Sequence, residues 1–194
     1  MRIIGGERRG MNLITSKIRG VRPTMDIARE SLMNLIGPLD SDARVLDLFG
    51  GTGAVGIEFL SRGAGFATIG ELKRSNCEII RQNIQKAHYE DRARIVPGSF
   101  ERTLALLSEE REEFDYIFID PPYSTNYSEK ALSILIKCGI LNKGTQIIVE
   151  RASNDVRPTE AQGFELTKDR TYGTARFLFY QVEELHESHL SGQL

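Results

Sequence analysis

Short apolar runs alternate with stretches of helical periodicity along most of this chain. The segments ARVLDLF (43–49), FATIGEL (66–72), ARIVPG (93–98), FDYIFID (114–120) and TQIIVER (145–151) are rich in β-branched and aromatic residues and predict strands. Between them, residues 54–62, 74–88, 100–110 and 128–138 predict helices. Strands this apolar have no polar face for solvent, so the alternation predicts a parallel α/β sheet with helices on both sides. Two later strands, at 163–168 and 175–182, are joined by the turn RTYGTA and predict an antiparallel hairpin at one edge. At the start of the chain, RIIGG and MNLIT flank the turn GERRG, the pattern of a further hairpin. After GVRPT, the residues Ile27, Ala28, Ser31, Leu32, Leu35 and Ile36 share one helical face. Thr24 stands as N-cap, Asp26 lies in the first turn and Gly37-Pro38 ends the helix. The expected organisation is a hairpin extension over 1–24, an α/β domain over 25–182 and a disordered tail over 183–194.

Ligands of such a sheet bind at the carboxyl ends of its strands. After the first strand, LDLFGGTGAVG carries Gly51, Gly53 and Gly56 at the spacing of a dinucleotide fingerprint, with Glu71 at the end of the second strand. Asp47, however, lies just ahead of those glycines, where its carboxylate would repel a pyrophosphate and attract a sulfonium and an ammonium. Asp47, Phe49, Gly51 and Gly53 therefore favour S-adenosylmethionine over NAD. Glu71 is placed to accept both hydroxyls of a ribose. After the third strand, Ser99 and Phe100 stand where an adenine would lie, and Phe100 serves equally well as the first core residue of the next helix.

The fourth strand ends in Asp120-Pro121-Pro122-Tyr123. An exocyclic amine on a nucleobase is a poor nucleophile, because its lone pair is delocalised into the ring. A carboxylate and a rigid backbone carbonyl, Asp120 and Pro121, would each accept one of its N–H groups and turn the lone pair toward a methyl donor. Tyr123 would offer a ring on which an extruded base stacks.

Charge adds one feature. The net charge is −2, yet residues 1–24 carry Arg2, Arg8, Arg9, Lys17, Arg19 and Arg22 against Glu7 alone, a balance of +5. That segment reads either as a solvated basic hairpin or as a phosphate-facing arm on an acidic body. MRIIGGERRG has no apolar signal-peptide core and no run reaches the length of a membrane span, so a cytoplasmic protein is expected. Cys77 and Cys138 are isolated and read as reduced core residues; His88, His186 and His189 form no ligand set, and no metal is expected.

RPTMDIARESLMNLI, VLDLFGGTGAVGIEFLSRGA and FIDPPY together resemble the RsmD family, bacterial methyltransferases that modify guanine N2 in 16S rRNA. The resemblance runs from the first hairpin to about Tyr180. It implies a Rossmann-like class I S-adenosylmethionine-dependent fold with a seven-stranded, mostly parallel sheet of order 3-2-1-4-5-7-6, and a hairpin that grips RNA. Carried over by position, Asp47, Gly51, Gly53 and Glu71 bind the cofactor, and Asp120 to Tyr123 hold the base. Phe49, Thr52, Leu72, Ser99 and Phe100 are further candidates beside the cofactor, and Arg8, Arg9, Arg22 and Thr24 are candidates for contact with RNA. Ser99 departs from the family's usual aspartate. Small-subunit rRNA or the 30S particle is the expected partner, and a monomer the expected state. The rival readings are N6-adenine methylation, which uses the same four residues, a non-catalytic rRNA-binding assembly factor, and an NAD-dependent oxidoreductase.

Overall fold

The computed structural model describes residues 1–15, 23–122 and 125–183, with the backbone alone for 23–25. Its strands are β1 (Arg44–Asp47), β2 (Phe66–Glu71), β3 (Ala93–Pro97), β4 (Phe114–Ile119), β5 (Leu141–Ala152), β6 (Phe164–Tyr172) and β7 (Ala175–Val182). The helices are α1 (Pro23–Ile36), α2 (Ala54–Ser61), α3 (Arg74–Ala87), α4 (Phe100–Glu109) and α5 (Tyr127–Cys138). All seven strands form one sheet in the order β3-β2-β1-β4-β5-β7-β6. The first five run parallel, and β7 joins β5 and β6 antiparallel. This is the strand order that the family resemblance implies.

The two faces are filled by alternate residues of the same strands, as a pleat requires. On one side Leu46, Ile117 and Ile147 pack against Leu104 and Leu107 of α4 and Leu132 and Leu135 of α5. On the other, Val45, Ala67 and Ile69 meet Ile57 and Leu60 of α2 and Ile80 and Ile84 of α3. The long hairpin β6–β7 needs a cover of its own. Leu32 and Ala28 of α1 supply it by packing on Phe118, Ile148, Phe177 and Phe179.

Element boundaries moved where local signals misled. Helix α1 begins at Pro23, one residue before the expected cap Thr24, because a proline suits the first helical position, where no N–H partner is needed. Strand β5 starts at Leu141 rather than at residue 145. Gly144 (φ 90°) takes up a register shift there, and the Thr145 hydroxyl donates to the carbonyls of Phe114 (2.7 Å) and Asn142 (2.9 Å). The tail beyond Glu183 lies outside the described residues.

The first 15 residues dock on the α/β domain. Ile3 donates to the Met11 carbonyl and Leu13 to that of Met1, and both side chains are buried against α2. The carboxylate of Glu58, fully buried in α2, accepts the backbone N–H groups of Ile4 and Gly5 at 2.8 Å each, and Arg62 Nε at 2.8 Å. At the tip, Gly6 (φ 74°) lies so close to Ser61 that a Cβ would stand 1.7 Å from its carbonyl oxygen; only glycine fits. Deleting residues 1–15 would remove two core side chains and leave Glu58 short of two donors. The expected result is a melting temperature lower by about 10 °C or more. A truncated chain that melts within a few degrees of the full one would make the hairpin an appendage after all.

Candidate active site

The carboxyl ends of β1 and β2 are tied together by their own acids. Gly53 is the N-cap of α2 and has no side chain with which to cap it. Asp47, at the end of β1, supplies the missing acceptor: its Oδ2 takes the N–H of Gly56 at 3.1 Å. Glu71, at the end of β2, accepts Gly51 N–H at 2.8 Å with one oxygen and Lys73 N–H at 2.7 Å with the other. Each of those oxygens keeps a second lone pair, enough for the two hydroxyls of a ribose. Gly51 (φ 57°) and Gly53 (φ 78°) make the turn between strand and helix. Buried Asn83 fixes the turn from behind, donating to the carbonyls of Thr52 and Ile14 at 2.9 Å each and accepting Ile14 N–H at 2.7 Å.

Beside Glu71, Leu72 is exposed over 70% of its surface, an apolar flank for a flat ring. Ser99 caps α4, its hydroxyl oxygen accepting Arg102 N–H at 3.4 Å. Of the two roles open to Phe100, the core role is the one seen. The residue is buried on α4, with its ring 5.4 Å from that of Phe49 and 5.3 Å from that of Tyr127. Half-exposed Phe49 and the partly exposed Tyr127 stack nearly parallel across it, 6.5 Å apart. Tyr127 was not anticipated, since nothing local distinguishes it from an ordinary first helical residue.

On the acceptor side, Asp120 directly follows β4. Ile119 pairs with Val149, which puts Asp120 level with Glu150 on the neighbouring strand. Burial, and then the charges of Glu150 and Asp47, raise the Asp120 carboxyl well above the usual range. Burial likewise raises Asp47, to about 7, against the lowering effect of the Gly56 and Phe49 N–H groups. Four carboxylates thus converge where β1, β2, β4 and β5 end, and such a site favours a cation. Glu150 was also missed; its acid is legible at the end of TQIIVER, but only the strand order brings it to Asp120. Pro121 is buried, and the Pro122 carbonyl accepts the N–H and hydroxyl of Thr125 at 3.1 and 2.8 Å. Tyr123 lies outside the described residues.

The expected RNA contacts fare differently. Helices α2 and α3 run back from the carboxyl ends of the strands, so their last residues, Ser61 and Ala87, mark the opposite edge of the sheet. Arg8 is held there, its backbone N–H on the Ser61 hydroxyl, its Nε on the Ala87 carbonyl (2.8 Å) and its guanidinium over Tyr89. Arg8 thus packs on α2 and α3, and the neighbouring Arg9 is exposed. Arg22 and the Thr24 side chain lie outside the described residues.

A pH dependence follows from Asp47. A cation bound beside it favours the ionised form, so cofactor affinity is expected to fall as pH drops through about 7, by about tenfold between pH 8 and pH 6. Asp47→Asn should flatten that profile, as calorimetry across the range would read. The stability sign is opposite. The folded carboxyl holds its proton to about 7 against 3.8 in the unfolded chain, so Asp47 lowers the stability of the ligand-free protein as pH rises between those values.

Comparison with known proteins covers nearly the whole chain. The family described as Conserved hypothetical protein 95 matches residues 1–181. Ribosomal RNA small subunit methyltransferase D of Escherichia coli is 32% identical over 188 residues, covering 97% of this chain and 93% of that protein. Its counterpart in Haemophilus influenzae is 30% identical, with 93% of each covered. The solved structure of yhhF from Escherichia coli superposes with a TM-score of 0.79 at 33% identity, over 94% of this chain and 98% of that one. The fold is that of the class I S-adenosylmethionine-dependent methyltransferases, and the chain belongs to the RsmD family.

Proposed function

We propose that this protein transfers the methyl group of S-adenosylmethionine to the exocyclic N2 of a guanine in small-subunit rRNA. The observation that carries the reading is the meeting of Asp120, followed by two fixed prolines, with the carboxylate-lined turn of β1 and β2. The cofactor supplies an electrophilic methyl on a sulfonium cation. Glu71 has the unused lone pairs for its ribose, Leu72 an apolar flank for its adenine, and Asp47, Asp120 and Glu150 the negative potential for its charge. Asp120 and the Pro121 carbonyl then accept the two N–H groups of the amine, aiming the nitrogen lone pair at the methyl group in line with the leaving sulfur. As the bond forms, the amine becomes cationic, and the adjacent carboxylate stabilises that charge more in the transition state than in the ground state. The methyl acceptor gives up one proton in the course of the reaction. Asp120, whose carboxyl is already raised, is placed to take it.

That all of these residues come from one chain supports a monomer, and an rRNA substrate supports a cytoplasmic enzyme. The test is incubation with radiolabelled cofactor and unmodified small subunits or naked 16S rRNA, followed by nucleoside analysis. Label in N2-methylguanosine is the expected result. Label in N6-methyladenosine would assign the same site to the other amine, and no label in RNA would leave a scaffold without this activity.

A further inference from the structure

A second set of charges lies behind the Asp120-Pro121-Pro122 turn, in the loop that leaves β5. The Pro122 carbonyl is bound by Thr125, and the Thr125 carbonyl in turn accepts Arg157 Nη1 at 2.6 Å. Arg157 is not a loose surface side chain. Its Nε donates to both oxygens of Asp155, at 3.0 and 2.9 Å, and its backbone N–H to Asp155 Oδ1 at 2.9 Å. The guanidinium holds the Asp155 carboxyl down to about 2, so this pair persists at any pH at which the protein works. Asp155 is itself fixed, since its carbonyl accepts Arg176 Nη1 at 3.1 Å.

Glu129, in the first turn of α5, completes the frame. It lies 3.2 Å from Arg157 Nη1 and 3.2 Å from Nη2 of Arg151. Arg151 is buried at the end of β5 and donates to the carbonyls of Arg157 and Pro158, at 3.3 and 2.9 Å. These pairs are partly exposed, and the positioning they provide does not depend on their adding much stability. Their effect here is geometric: Asp155, Glu129 and Arg151 together fix a guanidinium whose Nη1 reaches the Thr125 carbonyl, just beyond Pro122.

We propose that Arg157 is a positioning residue for methyl transfer, clamping the loop that carries Asp120 and Pro121 through the Thr125 carbonyl. It touches neither cofactor nor base. The inference rests on the proposed role of Asp120 as acceptor of the amine protons. Misplacement of a reacting group by about 1 Å costs about 10²-fold in rate, so releasing the clamp should act on turnover.

The experiment compares single and double variants of the full chain on small subunits. Arg157→Ala is expected to lose about 10- to 100-fold in kcat, with KM for RNA and cofactor affinity within about twofold of wild type. Arg157→Lys, which keeps a cationic donor, should recover to within about fivefold. The pair Arg157→Ala with Asp120→Ala should be no slower than Asp120→Ala alone, because a clamp has nothing to position once the acceptor is gone. A folded Arg157→Ala enzyme with kcat within twofold of wild type would overturn the proposal, as would a double variant slowed by the full product of the two effects. Should Arg157→Ala melt below the assay temperature, Thr125→Val removes the hydroxyl bond to Pro122 and leaves Arg157 in place. A fall of about 3- to 10-fold in kcat with unchanged melting supports the clamp, and wild-type kcat overturns it. A wild-type enzyme that labels no RNA overturns the reading of Asp120, and the clamp with it.

Discussion

Asp120→Ala is expected to fold, to bind S-adenosylmethionine within a few-fold of wild type, and to turn over about 10²–10³ times more slowly. The interaction removed belongs to the transition state, so the loss should appear in kcat rather than in KM. Stability provides the control. Burial and two neighbouring carboxylates raise the Asp120 carboxyl, which means that its charge is disfavoured where it stands. Removing it should leave the melting temperature of the ligand-free protein unchanged or higher. If Asp120 merely terminated a strand, the outcome would be reversed, with lower melting and near-normal turnover. Turnover should also fall with falling pH, because a protonated Asp120 no longer holds the amine or takes its proton.

Glu71→Ala should weaken cofactor binding by about 1.5–3 kcal/mol, the scale for hydrogen bonds to a charged group, or about 10- to 150-fold in Kd. Two contributions add. The ribose hydroxyls lose their acceptor, and the N–H groups of Gly51 and Lys73 lose theirs, so the turn that receives the cofactor is no longer held to β2. Calorimetry on a folded variant reads the effect directly. An unchanged affinity would remove Glu71 from the site and leave it a loop fastener only.

The architecture was legible because the strands announce themselves. FATIGEL and FDYIFID are too apolar to be anything but core, and the glycines between the first strand and its helix fix where that strand ends. Asp47, Glu71 and Asp120 were legible for the same reason: each is a carboxylate at a strand end, and strand ends in a parallel sheet point to one place. What escaped were contacts made across the fold. Glu150 reaches Asp120 only because β5 lies beside β4, and Tyr127 completes an aromatic group whose other members stand 78 and 27 residues earlier in sequence. Composition alone could not show how Arg8 is held. Its docking on Ala87 and Tyr89 is a contact between segments some 80 residues apart. Ser99 combines both cases, for a residue placed for an adenine is also a good helix cap, and capping is the bond seen.

Asn83 gives the N-terminal arm and the glycine turn a common fate. One buried amide nitrogen donates to the Thr52 and Ile14 carbonyls while its oxygen accepts the Ile14 N–H, so neither segment can shift without disturbing the other's bond. Linkage of this kind is reciprocal: whatever free energy the filled turn lends to the docking of Ile14, a docked Ile14 returns to the filling of the turn. Docking of Ile14 and a ligand seated on Glu71 therefore report to one another through a single asparagine, 69 residues from Ile14 and 12 from Glu71.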